Sequence, residues 1–193
     1  MIKEFIVASA SPRRREILTN AGYQFEVIPS DADENINGVM TPEETVCELS
    51  RRKALAVLEN NKDAVVFGCD TVVAIGNEIL GKPENDEDAK RMLKMLSGRV
   101  HTVSTGVCVT DANKTEVFAN TTEVEFFELS DETIESYIAT GECSDKAGAY
   151  GIQGYGSVLV KRIRGDYFSV MGLPVSETAR VLDKFGIQGK VRL

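Results

Sequence analysis

Short apolar runs alternate with segments of helical periodicity throughout the 193 residues. The apolar runs have the length and the β-branched content of strands, and the periodic segments begin with residues that cap helices. Several strands follow one another closely enough to form hairpins, which indicates a mixed sheet and not a purely parallel one. Strands are predicted at 5–8, 23–29, 64–67, 72–75, 78–80, 100–110, 115–129, 157–163 and 167–171, and helices at 12–20, 42–60, 86–96, 131–139 and 174–186.

The best-defined helix start follows Thr41. Thr41 is suited to cap the first turn, Pro42 to occupy the first helical position, and Glu44 to close a capping box. Ser11 and Pro12 provide a similar start for the preceding helix. Both segments therefore predict the start of a helix.

The composition is that of a folded globular protein, with 42% hydrophobic and 27% charged residues. The length predicts one domain over residues 1–193, with two lobes. The net charge of −8 opposes binding to a nucleic-acid polymer, because such proteins need a basic face.

No stretch approaches 18 consecutive apolar residues, so no membrane partner is expected. The segment Met1–Glu4 begins a strand-like run without a signal-peptide layout, and a cytoplasmic location is expected. The cysteines form no Cys-x-x-Cys pair, so we expect them to be small core residues rather than zinc ligands. They are Cys47, Cys69, Cys108 and Cys143.

A basic segment, Ser9–Arg15, lies at a strand-to-helix junction. The start of a helix offers free backbone N–H groups and the positive end of the helix dipole, both of which suit a phosphate. Three arginines there oppose the dipole, and an anion would offset this cost. A solvated basic turn on a surface helix is the alternative.

Lys53 falls on the apolar face of the second predicted helix. At 100° per residue, Val46, Leu49, Ala56 and Val57 form one stripe with Lys53 in its middle. Arg51 and Arg52 fall outside it. A core-facing lysine must be paired or must line a cleft, unless its stem only snorkels along the edge of the stripe.

Asp70 follows the apolar run 64–68. A carboxylate at the end of a buried strand is costly unless it binds a metal, acts as a base or is well hydrogen-bonded. Asp33 and Glu34, in an acidic loop, are candidate partners, because a hard cation is commonly held by two or three carboxylates together with substrate phosphates. Solubility of the loop is the alternative explanation for that pair.

Three partial motifs are rejected. Residues 76–82 follow the phosphate-loop pattern, but Pro83 replaces the Ser or Thr that would hold Mg²⁺. The glycines at 148–156 do not spell the dinucleotide-binding fingerprint. His101, the single histidine, has no Gly-x-Ser-x-Gly elbow to serve, so we expect a structural or edge role for it.

The segment Asp145–Gly154 combines glycines with functional side chains. Glycine lets the backbone approach a ligand closely, Lys146 provides a point charge, and Gln153 can both donate to and accept from the edge of a base. Tyr150 and Ile152 indicate that the loop is packed.

Several segments, in this order, resemble Maf proteins, nucleoside triphosphate pyrophosphatases that are also called septum formation inhibitors. The resemblance spans essentially the whole chain, and its first and fifth segments are long enough to be specific. The segments are Ser9–Arg14, Cys69–Val73, Gly81–Pro83, Leu96–Gly98, Asp145–Gly154 and Val170–Pro174.

The resemblance implies a metal-dependent hydrolase that cleaves between the α- and β-phosphates, with Asp70 as proton acceptor. It associates Arg13, Thr71 and Gln153 with substrate choice, and this set is similar to the branch acting on dTTP and UTP rather than on 7-methyl-GTP. The implied fold is an elongated α/β structure, a mixed sheet flanked by helices with a central nucleotide-binding cleft, similar to inosine triphosphatases and often dimeric.

Taken together, these observations predict a dTTP/UTP pyrophosphatase with Asp70 as catalytic base and Mg²⁺ or Mn²⁺ held by Glu34 and Asp70. A homodimer is expected. A non-catalytic nucleotide-binding regulator of septum formation and a general phosphatase are the rival functions. The residues predicted to bind substrate are Ser9, Arg13, Arg14, Lys53, Thr71, Lys82, Lys146 and Gln153.

Overall fold

The computed structural model describes residues 4–36, 38–76 and 78–193. Three parts of the sequence lie outside the described residues: Met1–Lys3, Asn37 of the acidic loop, and Asn77 of the 76–82 segment. The described strands are β1 (Phe5–Val7), β2 (Glu26–Val27), β3 (Val65–Ile75), β4 (Glu78–Leu80), β5 (Val100–Thr110), β6 (Thr115–Phe126) and β7 (Val160–Arg164).

In the described ranges the seven strands form one sheet in the order β2-β1-β3-β5-β6-β7, with β4 added to β3. Strand β1 is parallel to β2 and β3, whereas β4 is antiparallel to β3 and β7 is antiparallel to β6. The predicted mixed α/β fold is therefore confirmed.

Helices accompany the sheet, and the capping box predicted at Thr41 is present. Thr41 Oγ1 accepts a bond of 3.2 Å from the Glu44 N–H, and the Thr41 N–H donates to Glu44 Oε2 over 2.8 Å. The helices of the described chain are α1 (Pro12–Asn20), α2 (Pro42–Leu58), α3 (Asp86–Leu96), α4 (Asp131–Ile138), α5 (Tyr167–Val170) and α6 (Val175–Lys184).

One strand prediction was wrong, and several others had the wrong bounds. Residues 167–171 form α5, because the Asp166 carboxylate caps the Phe168 N–H over 2.8 Å and turns the apolar run into a helix. The runs 64–67 and 72–75 belong to one strand, because β3 continues without a break from Val65 to Ile75. In the 23–29 segment only β2 is regular, and β7 begins at Val160, after a 3₁₀ turn over Gly154–Leu159.

The chain divides into two compact units. Unit 1 comprises Met1–Asp70, Thr105–Asn120 and Gly172–Leu193, and unit 2 comprises Thr71–Ser104 and Thr121–Met171. No helix in the described ranges is both long enough and apolar enough to cross a membrane.

In unit 1, helix α2 packs unusually close to the sheet. A Cβ atom on Gly68 would overlap the carbonyl oxygen of Ser50, and one on Gly106 would overlap that of Val46. Two glycines without side chains therefore let the helix backbone rest on the strands. Because alternate residues of a strand share a face, the face that holds Gly68 against α2 also carries Asp70.

Unit 2 is built around an apolar core that includes an aromatic cluster. The His101, Phe126 and Tyr150 rings meet edge to face, with centroids 4.7 to 5.4 Å apart. Tyr150 Oη and His101 Nε2 are 2.8 Å apart, and burial lowers the pKa of His101 to about 4. His101 is therefore a neutral core residue within a central strand, which agrees with the predicted structural role and not with an edge role.

Three cysteines are buried and Cys47 is half-buried. Burial raises the pKa of Cys69 to about 11, so its thiol is protonated at neutral pH. Cys69, Cys108 and Cys143 are thus small core residues, as predicted, whereas Cys47 is only partly buried.

Candidate active site

Unit 1 contains two carboxylates that share one ammonium group. Lys53 Nζ lies 2.6 Å from Asp70 Oδ1 and 3.0 Å from Glu34 Oε1. The Lys53 and Asp70 side chains are 13% and 14% exposed, whereas Glu34 is 64% exposed. The cluster is thus well shielded at Lys53 and Asp70 and open to solvent at Glu34.

Helix α2 delivers Lys53 to this position. Val46, Leu49 and Val57 are buried as predicted, but Ala56 is only half-buried and Ala54 is buried in its place. Lys53 is therefore next to the centre of the apolar face, and its head group is paired as the sequence analysis required.

The two carboxylates determine the charge of Lys53. Burial alone would lower the pKa of Lys53, but the Asp70 and Glu34 carboxylates outweigh burial and raise it above its ordinary value. Lys53 consequently remains positive throughout the neutral range.

The β1–α1 junction is held by Ser9 and Arg14. Ser9 Oγ accepts bonds from Arg14 Nη1 over 3.1 Å and from the Ser11 N–H over 3.3 Å. Arg14 Nε donates to the Gly172 carbonyl over 2.8 Å, and the Cys69 thiol donates to the same oxygen over 3.2 Å. The Ser9, Cys69 and Gly172 segments, separated in sequence, therefore meet beside Asp70.

Arg52 is a residue that the sequence analysis missed. Its Nη1 donates to the carbonyls of Asp33 over 3.2 Å and Asn35 over 2.8 Å, on either side of Glu34. Its Nε bonds to Glu48 over 2.8 Å. Arg52 therefore anchors the acidic loop to α2, and the Glu48/Arg52 spacing of four residues was the available signal.

Asp33, the other candidate in that loop, has a local role. Its Oδ1 accepts from the Asn35 N–H over 2.9 Å and from the Asn35 side-chain amide over 2.6 Å. This leaves Glu34 as the carboxylate of the pair that reaches Lys53.

In unit 2, two of the predicted segments meet. The Gly148 N–H donates to the Gly81 carbonyl over 3.0 Å, which joins the Lys82 segment to the Lys146 segment. Gly148 has φ of +68°, and a Cβ atom there would crowd Val73 at 2.9 Å. Lys146 Nζ bonds to the Glu142 carbonyl and to Asp145 Oδ1.

The predicted site residues are thus distributed over both units. Lys82 and Gln153 are exposed, and Thr71 begins the part of β3 that belongs to unit 2. Unit 1 carries Ser9, Arg13, Arg14, Glu34, Lys53 and Asp70, and unit 2 carries Thr71, Lys82, Lys146 and Gln153.

In the described residues, no three His, Cys, Asp or Glu side chains converge in a metal cluster. The oxygen ligands available to a metal beside Lys53 are the Glu34 and Asp70 carboxylates. Mg²⁺ is commonly bound in enzymes through one or two carboxylates plus substrate phosphates and waters, so Glu34 and Asp70 fit that requirement.

The Maf-like protein family model matches residues 4–185. This chain belongs to the Maf-like family. Its similarity extends to individual Maf-like relatives: a dTTP/UTP pyrophosphatase of Bacillus cereus is 50% identical over 186 residues, or 96% of this chain and 92% of that protein. A dTTP/UTP pyrophosphatase of Bacillus thuringiensis is 49% identical, over 96% of this chain and 97% of that protein.

Solved structures resemble the Maf-like chain in fold. A Ham1 protein from Coxiella burnetii superposes with a TM-score of 0.52 at 14% identity, covering 94% of this chain and 99% of that one. The Staphylococcus aureus Ham1 protein gives 0.50 at 18% identity, covering 82% and 80%.

Proposed function

We propose that this Maf-like protein hydrolyses dTTP and UTP to the nucleoside monophosphate and pyrophosphate. The observation that carries the proposal is the Glu34–Lys53–Asp70 cluster, in which two carboxylates converge on one site. The relatives that share half of its residues and bear the name dTTP/UTP pyrophosphatase support the choice of substrates.

Asp70 is the proposed base. Water attacks the α-phosphorus, its proton passes to Asp70, and the bond from the α-phosphorus to the oxygen that bridges the β-phosphorus breaks. The electron pair of that bond leaves with pyrophosphate. Lys53 orients the Asp70 carboxylate through the 2.6 Å contact.

Cationic side chains balance the charge that develops on pyrophosphate. Ser9 aligns Arg14 at the β1–α1 junction. We assign this balancing of charge to Arg13, Arg14, Lys53, Lys82 and Lys146.

Glu34 and Asp70 would hold a divalent cation, Mg²⁺ or Mn²⁺. When bound, the cation supplies Lewis-acid stabilisation of phosphate charge and a more acidic water. Arg52 keeps Glu34 in reach by fixing the carbonyls on both sides of it.

Thr71, Gln153 and Arg13 are proposed to select the base and sugar, since together they offer both donors and acceptors. We further propose a cytoplasmic homodimer.

The test is a panel of nucleoside triphosphates incubated with Mg²⁺ or Mn²⁺, with pyrophosphate and orthophosphate measured separately. Pyrophosphate release that is fastest with dTTP and UTP is expected. Orthophosphate as the first product would indicate a general phosphatase, and nucleotide binding without release would indicate a regulator.

A further inference from the structure

The loop that carries Gln153 is tied down on both sides of that residue. Before it, the Gly151 N–H donates to Tyr137 Oη over 3.1 Å. After it, the Tyr155 and Gly156 N–H groups donate to Glu142 Oε2 and Oε1 over 2.9 and 3.0 Å. Tyr137 Oη itself donates to Glu142 Oε1 over 3.0 Å, so one connected network holds the whole segment.

The glycines of the loop are shaped to this network. A Cβ atom on Gly154 would overlap Glu142 Oε2, and φ of +59° there already disfavours other residues. A Cβ atom on Gly156 would overlap the Gly151 carbonyl and lie 2.9 Å from Tyr137 Oη. The glycines therefore permit the close approach that the carboxylate and the phenol require.

The network keeps its protonation state at neutral pH. Burial alone would raise the pKa of Glu142, but the amide donors at Tyr155 and Gly156 and the Tyr137 hydroxyl outweigh burial and lower it. Burial raises the pKa of Tyr137. A charged acceptor and a protonated phenol are thus both maintained, and hydrogen bonds to a charged acceptor are the stronger kind.

Gln153 itself is exposed and caps nothing, although it begins the 3₁₀ turn over Gly154–Leu159. Its amide can present a donor and an acceptor to a ligand, but it discriminates between bases only if its orientation is fixed. The backbone bonds at Gly151, Tyr155 and Gly156 fix the position from which the Gln153 side chain extends.

We infer that Tyr137 and Glu142 are positioning residues that fix Gln153 and so determine discrimination between uracil and cytosine nucleotides. The inference rests on the proposed function. Uracil presents a carbonyl where cytosine presents an amino group, so a rotated Gln153 amide would accept the wrong base.

Tyr137→Phe and Glu142→Gln test this role. The kcat/KM ratio of UTP to CTP is expected to fall about tenfold, the usual scale for losing one buried polar contact. The kcat for UTP should stay within about threefold of wild type, since neither residue touches the reacting atoms. A purely structural role would lower kcat/KM for UTP and CTP together and leave their ratio unchanged.

Glu125→Gln is the matched control. Glu125 is another half-buried carboxylate of unit 2 whose pKa is lowered, by Lys161 and Arg162 at 2.8 and 2.7 Å. The UTP to CTP ratio of kcat/KM in Glu125→Gln should match that of wild type. A fall as large as that in Tyr137→Phe or Glu142→Gln would overturn the inference. Tyr137→Phe retains the buried ring and decides the question if Glu142→Gln does not fold.

The wild-type protein in the same assay distinguishes failure of the proposed function from failure of the positioning role. Absence of pyrophosphate release from wild type would overturn the proposed function. Release by wild type, with an unchanged ratio in the folded variants, would overturn the positioning role alone.

Discussion

Two carboxylates, one in each unit, are held by different kinds of partner. Asp70 shares the Lys53 ammonium with Glu34 and has no backbone donor in its described hydrogen bonds. Glu142 spends both oxygens on two backbone amides and a phenol. In the proposed reaction Asp70, which is held by a lysine side chain, accepts the proton, whereas Glu142, which is held by backbone amides, has a positioning role.

The largest expected effect comes from Asp70→Asn, which removes the base and keeps its shape. We expect kcat for UTP to fall by about 10²–10⁴ and to fall equally for dTTP, because base catalysis is common to both substrates. Steady-state kinetics checks this. Near-normal turnover would remove Asp70 from the mechanism and erase the contrast with Glu142.

Gly68→Ala tests how the Asp70 site is assembled. The new Cβ would overlap the Ser50 carbonyl, so α2 must shift, and a loss of roughly 1–3 kcal/mol in the free energy of unfolding is expected. Gly106→Ala, which meets the same helix at Val46, should cost a similar amount in urea unfolding.

The two glycine variants should differ in activity, because Gly68 lies two residues from Asp70 and Gly106 does not. A kcat loss confined to Gly68→Ala is expected. Equal kcat values in both variants would mean that close packing of α2 at Gly68 is irrelevant to the catalytic cluster.

Mild acid should weaken unit 2 through His101. Its folded pKa of about 4 lies below the ordinary 6.5, so the stabilisation is complete above pH 6.5 and is lost as the pH falls. About 2 kcal/mol should be lost between pH 7 and pH 5, measured by urea unfolding. His101→Asn should show a flatter dependence, and an unchanged slope would contradict burial of a neutral imidazole.

The smallest effect is expected from Arg52→Ala. Without its bonds to the Asp33 and Asn35 carbonyls, Glu34 is less well placed, and kcat should fall about tenfold, as for one lost charge-assisted hydrogen bond. Arg51→Ala is the control, because Arg51 is half exposed and its side chain pairs with Glu48 at 3.3 Å. Equal activity in the two variants would show that anchoring this loop is unnecessary.

The sequence was most informative where a structural feature depends on the spacing of residues along one helix. The Thr41 capping box and the apolar stripe around Lys53 follow from spacing along one helix, so they could be predicted. The prediction of a strand at 167–171 was wrong because a single capping carboxylate, Asp166, outweighed an apolar run.

The residues that were missed bond to backbone atoms remote in sequence. Arg52 reaches carbonyls 17 and 19 positions away, and Glu142 reaches amides 13 and 14 positions away. Neither contact leaves a periodic pattern in the sequence, because the partner groups belong to loops. Only the folded chain brings these groups together.

The most direct test of the account is hydrolysis of UTP in heavy-oxygen water. Attack on the α-phosphorus predicts that the label appears in the nucleoside monophosphate and that pyrophosphate stays unlabelled. Label in pyrophosphate or in orthophosphate would contradict the proposed reaction.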